Sequence, residues 1–225
     1  MPAVSVLIPT HSHSELLGFA VESVLRQNFS DYELFIVGDG PDDKTRCAAQ
    51  ELSCKDDRIK YREFPKMGRT GEPHRHKIIT EQASGKYIFY LSDDDIWKST
   101  HLSSMISTFE RGYNFCHSGF IRVSEKDKNG TCYLFNKNNQ NLMTKNFIPL
   151  SCGAHTRESY MNLPEGWTET PLGEYTDHYM WKKLLQHHML GSSCKATVVH
   201  FPSSKRTSMS IESRIKENSI WLRKI

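Results

Sequence analysis

The chain has 225 residues, of which 37% are hydrophobic, 24% are charged and 11% are aromatic, and its formal net charge is +3. This composition is typical of one folded domain and excludes a disordered or fibrous protein, while the small net charge argues against nucleic acid as the main partner. The sequence contains no run of about twenty apolar residues and opens on no signal segment, which predicts a cytoplasmic protein without a transmembrane segment.

Strands and helices alternate through residues 1–110. A capping box is predicted at Ser12 and Glu15, at the start of the first helix. The alternation predicts an α/β domain in which helices cover both faces of a mostly parallel sheet. The predicted strands are Val4–Ile8, Tyr32–Val37, Ile59–Phe64 and Tyr87–Leu91, and the predicted helices are Glu15–Gln27, Lys44–Leu52 and His74–Ala83.

The pattern changes after residue 110. Two apolar segments, 114–124 and 131–135, flank an Asn129-Gly130 dipeptide that favours the turn of an antiparallel hairpin. A polar segment at 136–146 is predicted as a mobile loop. A helix at 175–190 and a strand at 195–201 follow. The tail at 210–225 has the pattern of a basic amphipathic helix, which we expect to pack on the domain or on a partner subunit, with docking on a membrane surface as the alternative.

Three consecutive aspartates, Asp93–Asp95, follow the fourth predicted strand. Ligands of a parallel α/β sheet bind at the carboxyl ends of its strands. Because like charges repel, a folded site keeps all three ionised only with a cation, hydrogen-bond donors or open water nearby. One interpretation is a site for Mg(II) or Mn(II), held together with substrate phosphate oxygens. The other is a solvated turn that caps a helix near Ser99.

Other strand ends and one helix start carry residues that suit a nucleotide. Asp39 follows the second strand, where its carboxylate either binds the edge of a nucleobase or forms a turn before Pro41. Arg75 and His76 lie at the start of a helix, where cations and free backbone N–H groups suit phosphate, although a plain solvated helix start explains them as well. The first strand ends in Pro9, Thr10 and His11.

Four segments occur together in one order: "VSVLIPTH", "ESVLRQNFSDYELFIVGDG", "ASGKYIFYLSDDDIW" and "TDHYMWKKLL". Together they resemble glycosyltransferase family 2, inverting enzymes with the GT-A fold, over residues 3–200. The resemblance implies a single Rossmann-like layered domain, with a nucleotide-sugar-binding half at 1–110, an acceptor-binding half at 111–208 and a C-terminal helix at 209–225. The antiparallel part of the sheet is expected in the second half.

The resemblance also implies an activity. A sugar would move from a nucleotide-diphosphate donor to a hydroxyl of a carbohydrate or lipid-linked glycan acceptor, in the synthesis of a bacterial surface polysaccharide, with Mn(II) or Mg(II) as the cofactor. The protein would be cytoplasmic, with peripheral contact at the inner face of the membrane. A homo-oligomer formed through the C-terminal helix is a further expectation.

Matching positions carry the family's functional residues. The metal falls on Asp94, with His200 as a second metal or diphosphate ligand, and the general base falls on Asp177, with Glu174 as the alternative. By the same resemblance, Asp39 would bind the nucleobase of the donor. The other nucleotide-binding candidates are Pro9, Thr10, His11, Arg75, His76, Asp93 and Arg206.

This chain departs from the family's pattern at three positions. Gly38, Ser92 and Thr176 stand where relatives commonly carry acids. Because of these departures there is an alternative function: a non-catalytic domain that binds sugar nucleotides or acts as a scaffold.

Overall fold

The structure is a computed structural model that describes residues 1–135 and 141–225. Its helices are α1 (Ser14–Leu25), α2 (Asp43–Ser53), α3 (Glu72–Glu81), α4 (His101–Phe109), α5 (Arg157–Met161), α6 (Thr176–His187) and α7 (Ile211–Lys224). Its strands are β1 (Val4–Thr10), β2 (Tyr32–Asp39), β3 (Ile59–Phe64), β4 (Tyr87–Tyr90), β5 (Ile96–Trp97), β6 (Phe115–Ser124), β7 (Asp127–Tyr133), β8 (Gly153–Thr156) and β9 (Leu190–His200).

One continuous sheet joins the strands in the order β3-β2-β1-β4-β8-β6-β9-β5, and β7 pairs with β6. The β1–β2, β2–β3, β1–β4 and β6–β9 pairs are parallel. Strand β8 lies antiparallel between β4 and β6, and β5 and β7 are antiparallel to their neighbours. The predicted α/β class is therefore confirmed, with antiparallel pairing concentrated in the second half of the chain.

The core lies on both faces of the parallel strands. Every residue of β2 and of β4 is buried, as expected for central strands that helices cover on each side. Helix α1 buries the apolar stripe that its sequence predicts, formed by Leu16, Leu17, Ala20, Val21 and Val24. Because each buried Leu or Val side chain contributes about 1.5–3 kcal/mol, these layers hold the strand ends in fixed positions.

Two predicted helix starts differ from the structure. The capping box is wrong, because α1 has His13 at its N-cap and Ser14, not Ser12, donates a hydrogen bond to Glu15. Helix α3 begins two residues before the predicted start, at Glu72. Gly71 precedes it with φ of 71°, a left-handed conformation that glycine adopts at little cost.

The predicted turn of the hairpin is also wrong. Strands β6 and β7 turn at residues 125–126, since Ser124 pairs with Asp127, and Asn129-Gly130 lies inside β7. A Cβ atom on Gly130 would lie 2.4 Å from Cγ2 of Ile121 and 3.3 Å from the Trp221 ring. This glycine therefore serves the close packing of β7, not the turn.

The C-terminal helix packs on its own domain. Trp221 and Leu222 of α7 join a second apolar cluster that includes Ile96 and Val199. Of the segment predicted as a mobile loop, residues 136–140 lie outside the described residues, and the rest forms turns. Across the ranges 1–135 and 141–225, none of the helices has the length and apolar character needed to span a membrane.

Candidate active site

The carboxyl ends of β1, β2 and β4 open into one cleft of about 1600 Å³. Parallel strands end at the same edge of a sheet, so their terminal polar residues meet there although they are distant in sequence. Helix α6 and the start of the segment after β9 form the opposite side. Nine of the predicted site residues line this cleft: Pro9, Thr10, His11, Asp39, Arg75, Asp93, Asp94, Asp177 and His200.

The acidic run after β4 is buried and bonded. Asp93, Asp94 and Asp95 expose 8%, 7% and 1% of their surface, which rules out a solvated turn. Asp93 accepts hydrogen bonds from Thr10 Oγ1 at 2.6 Å and from His13 Nδ1 at 2.8 Å. The bond to Asp93 raises the pKa of His13. Asp93 thus ties the end of β4 to the end of β1.

Asp95 points away from the cleft into the protein. Its carboxylate accepts hydrogen bonds from Ser151 Oγ at 2.6 Å, from the backbone N–H of Phe201 at 2.8 Å and from His200 Nδ1 at 3.0 Å. Burial alone would raise the pKa of Asp95, but His200 and these donors outweigh it and lower the pKa. Asp95 therefore fixes the acidic run against β9 and orients the His200 ring.

Asp94 is the carboxylate of the run that faces the cleft with few partners. Burial, followed by the neighbouring charges of Asp95 and Asp93, raises the pKa of Asp94 to about 7. Arg214, on α7, forms an ion pair with this carboxylate: its Nη2 lies 3.2 Å from Asp94 Oδ2. The raised pKa means that Arg214 does not fully offset the negative charge gathered here.

The cleft provides some of the ligands that a divalent cation needs. Within the described part of the chain, no three His, Cys, Asp or Glu side chains are arranged to hold a metal ion by themselves. Mg(II) characteristically takes only one or two protein carboxylates and completes its shell with substrate phosphates and water. Asp94, which Arg214 compensates only in part and which lines the cleft together with His200, fits a metal that is shared with a bound diphosphate.

Asp177 lies in the first turn of α6, where the helix dipole favours a carboxylate. Asn146 Nδ2 donates a hydrogen bond to Asp177 Oδ1 at 2.8 Å, and the backbone N–H of His178 does so at the same distance. Burial raises the pKa of Asp177 in spite of these bonds. The alternative base, Glu174, also lines the cleft but pairs with Lys182 Nζ at 2.9 Å.

Asp39 anchors the loop that follows β3. Its Oδ2 accepts a hydrogen bond from Lys66 Nζ at 2.6 Å, and its Oδ1 accepts one from the backbone N–H of Met67 at 2.8 Å. His74 lies 3.4 Å from the same carboxylate and stacks on Phe64. These contacts hold Asp39 at the rim where β2 ends.

Arg75 is buried under the floor of the cleft. Its guanidinium packs 4.4 Å from the Trp167 ring and donates to the Thr70 carbonyl at 3.0 Å, and its Nε has no hydrogen-bond partner. Burial lowers the pKa of Arg75, while the charges of Glu72, Asp177 and Asp39 oppose that change. A buried cation with one unpartnered N–H thus lies beneath the cleft.

Two predicted nucleotide-binding residues are not brought to the cleft. His76 lies on another face of α3, where its Nδ1 is 2.8 Å from the Tyr160 hydroxyl. Arg206 is 3% exposed, forms an ion pair with Glu217 at 2.6 Å and packs 4.5 Å from the Phe201 ring. His76 therefore contacts α5 through Tyr160, and Arg206 contacts α7 through Glu217.

Several residues that contact the predicted site residues could not be identified from the sequence around them. His13, Asn146 and Arg214 reach Asp93, Asp177 and Asp94 only through the tertiary fold. The cleft also has an aromatic wall, which we define as Phe120, Tyr133, Phe135 and Phe147. Alternating aromatic residues in the second half of the sequence are the one signal that points to this wall.

Comparison with known proteins gives a consistent result. The sequence model of a family described as "Glycosyl transferase family 2" matches residues 5–161. A Campylobacter jejuni protein named GalNAc(5)-diNAcBac-PP-undecaprenol beta-1,3-glucosyltransferase is 36% identical over 115 residues, which are 50% of this chain and 36% of that protein. The Escherichia coli protein WfgD, named UDP-Glc:alpha-D-GlcNAc-diphosphoundecaprenol beta-1,3-glucosyltransferase, is 24% identical over 84% of this chain and 72% of its own length.

Solved structures share the fold. Staphylococcus aureus TarS 1-349 in complex with UDP-GlcNAc aligns with a TM-score of 0.71 at 14% identity, covering 97% of this chain and 65% of that one. The mannosyltransferase PcManGT of Pyrobaculum calidifontis, in complex with GDP-Man and Mn2+, aligns with a TM-score of 0.61 at 15% identity, covering 86% and 57%. The expected GT-A type of fold is thereby confirmed. The chain spans about a third of the Campylobacter jejuni protein's length.

Proposed function

The chain belongs to glycosyl transferase family 2, and we propose that it transfers one sugar, with inversion, from a nucleotide-diphosphate donor to a hydroxyl of a lipid-linked glycan. The observation that carries the proposal is the convergence of Asp39, Asp94 and Asp177 from separate elements on one cleft. Each of these carboxylates has surroundings that suit a different task. The names of two relatives, which give undecaprenol-linked sugars as acceptors, support a lipid-linked acceptor. The product would be an intermediate in the synthesis of a bacterial surface polysaccharide.

On the donor side, Asp39 binds the nucleobase at the end of β2, with Thr10 and His11 beside it on the rim. The diphosphate lies toward Arg75, whose positive charge would attract it from beneath the cleft. Asp94 and His200 would hold Mn(II) or Mg(II), which when bound would neutralise charge on the leaving diphosphate. Asp93 and Asp95 are positioning residues that fix the acidic run through Thr10 and Ser151.

On the acceptor side, Asp177 is the general base. The acceptor oxygen attacks the anomeric carbon, the bond from that carbon to the diphosphate oxygen breaks, and the acceptor proton passes to Asp177. A base needs an ionised carboxylate with some affinity for a proton. Asp177, whose pKa is raised, meets this need better than Glu174, whose carboxylate is paired with Lys182.

The test compares wild type, Asp177→Asn and Glu174→Gln. Each is assayed with a panel of UDP- and GDP-sugars, Mn(II) and a short-chain lipid diphosphate sugar. Asp177→Asn should lower turnover by about 10²–10⁴-fold while donor affinity stays unchanged. Glu174→Gln should keep most of the turnover. A product with the donor's anomeric configuration would overturn the single displacement.

A non-catalytic scaffold is the second candidate, and the departures at Gly38, Ser92 and Thr176 favour it. The same assay separates the two functions. A chain that binds sugar nucleotides tightly but neither hydrolyses nor transfers the sugar of any donor would establish the scaffold.

A further inference from the structure

The two sides of the cleft differ in chemistry. The strand ends of β1, β2 and β4 offer charged and hydroxyl groups, whereas the aromatic wall offers ring faces from β6, β7 and the segments beside them. Phe120 stacks on Tyr133 with centroids 5.1 Å apart, and Phe135 contacts Phe147 at 5.5 Å. Tyr133, Phe135 and Phe147 are half-buried, so part of each side chain stays open to the cleft.

The positively charged Arg122 side chain packs against this wall. The Arg122 guanidinium carbon lies 4.4 Å from the centroid of the Tyr133 ring, and Arg122 also donates a hydrogen bond to the Tyr133 hydroxyl. Among the described residues Arg122 has no carboxylate partner, although it lines the cleft and is exposed. Lys145 and Lys205, which line the same side, also lack an ion pair within the described ranges. The wall therefore joins apolar ring faces to positive charge that nothing in the described chain neutralises.

The wall also lies where an acceptor must enter. At one end the Phe120 ring contacts the His200 ring edge-on at 5.5 Å, and His200 is bonded to the acidic run through Asp95. At the other end, Phe147 directly follows Asn146, which donates to Asp177. The wall thus runs between the donor's diphosphate site and the base, which an attacking hydroxyl must reach.

We infer that the aromatic wall is the acceptor subsite, in which a pyranose stacks on Tyr133 and Phe135 and the diphosphate linking that sugar to its lipid binds Arg122. The inference rests on the proposed function and adds the residues that bind the sugar and the diphosphate of the acceptor. The C–H groups on one face of a pyranose match the electron-rich face of an aromatic ring. A guanidinium matches phosphate oxygens in charge and geometry.

The test measures binding directly. Benzyl diphosphate esters of N-acetylglucosamine and N-acetylgalactosamine are titrated into the protein loaded with UDP and Mn(II), and the affinity is read by calorimetry. Matching benzyl glycosides without phosphate form the second arm. The variants are Arg122→Gln, Tyr133→Leu and Tyr133→Phe. The matched control is Arg58→Gln, because the Arg58 guanidinium lies 4.4 Å from the Tyr32 ring, outside the cleft.

Arg122→Gln should weaken binding of the diphosphate esters about tenfold or more and leave the glycosides unchanged. Tyr133→Leu should weaken both arms about fivefold, and Tyr133→Phe, which keeps the ring, should restore glycoside binding. Arg58→Gln should bind as wild type does. Equal affinities in Arg122→Gln and wild type, or no binding of any diphosphate ester to wild type, would overturn the inference.

UDP affinity, measured in parallel, separates the two proposals. A chain that binds the diphosphate esters through Arg122 but binds no nucleotide would overturn the proposed function and leave the acceptor subsite standing. If every variant binds both UDP and the diphosphate esters as wild type does, the acceptor subsite is overturned and the proposed function stands.

Discussion

Arg214 on the C-terminal helix forms an ion pair with Asp94, its Nη2 lying 3.2 Å from the carboxylate across 120 positions of sequence. Asn218, one turn further along α7, donates to the Asp94 carbonyl at 3.3 Å. The helix therefore contacts Asp94, one of the two carboxylates of the acidic run that line the cleft, although α7 itself is not part of the cleft lining. It supplies part of the positive charge that the buried aspartates need.

We expect Arg214→Met to destabilise the metal-free protein by about 1–3 kcal/mol, because Asp94 is left buried without a counter-ion. The pKa of Asp94 should rise further. Urea unfolding at pH 7.5 measures the change. Lys216→Met is the matched control, since Lys216 is exposed on the same helix and should change stability by no more than about 0.5 kcal/mol. Equal stability of the two variants would show that the ion pair contributes nothing.

Neighbouring aspartates should respond in opposite ways to the same substitution. Asp95→Asn should cost about 2–4 kcal/mol, because the amide nitrogen would face the donors Phe201 N–H and His200. Asp94→Asn at pH 8 should leave the metal-free protein within about 1 kcal/mol of wild type or stabilise it, since it removes a buried charge that Arg214 offsets only in part. Chemical unfolding without metal distinguishes the two, and the opposite order of stabilities would refute these assignments.

The pH dependence follows from the signs of the two pKa shifts. The folded pKa of Asp94 exceeds its unfolded value, so its contribution to stability is present below the unfolded pKa and is lost as the pH rises through about 7. The folded pKa of Asp95 is lowered, so its contribution is present above the unfolded pKa and is lost only as the pH falls through the folded value. Between pH 5 and pH 8, Asp94→Asn should therefore flatten the decline in stability, and thermal unfolding in metal-free buffer measures it.

The geometry of parallel sheets explains why some of the predicted site residues lie together at one cleft. Asp39 and Asp94 follow apolar runs, and runs of that kind end together at one edge of the sheet. Arg214 could not be found in this way, because its partner is set by how α7 packs on the sheet. The Asn129-Gly130 signal failed for the same reason: a dipeptide carries no information about Trp221, which packs against that glycine in the folded protein.

Asn146 should set the pH at which the proposed base becomes active. Asn146→Leu removes a hydrogen bond that favours the ionised form of Asp177, so the pKa of Asp177 rises and the acid limb of the pH–rate profile moves up by about one unit. The other charges that act on Asp177 come from Arg75, His178 and His200, and they stay in place. The measurement is kcat against pH with saturating donor.

Asn28→Leu provides the control for this substitution, because Asn28 is exposed and far from the cleft in sequence and fold. Its profile should overlay that of wild type. If the acid limb of the pH–rate profile stays in place in Asn146→Leu, Asn146 does not influence the pKa of the base. A fall in kcat without a shift in the limb would give Asn146 a purely geometric role.

A side chain at Gly130 should destabilise the protein by more than the strain of its positive φ alone explains. Gly130 and Gly112 both have positive φ, 80° and 90°, but a Cβ on Gly112 would have no heavy atom within 4 Å, whereas a Cβ on Gly130 would overlap Ile121. Gly112→Ala should cost about 1 kcal/mol from backbone strain. Gly130→Ala should cost about 1–3 kcal/mol more, because Ile121 and Trp221 must move. Urea unfolding of both variants measures the difference, and equal losses would mean that β7 and α7 pack more loosely than the structure has them.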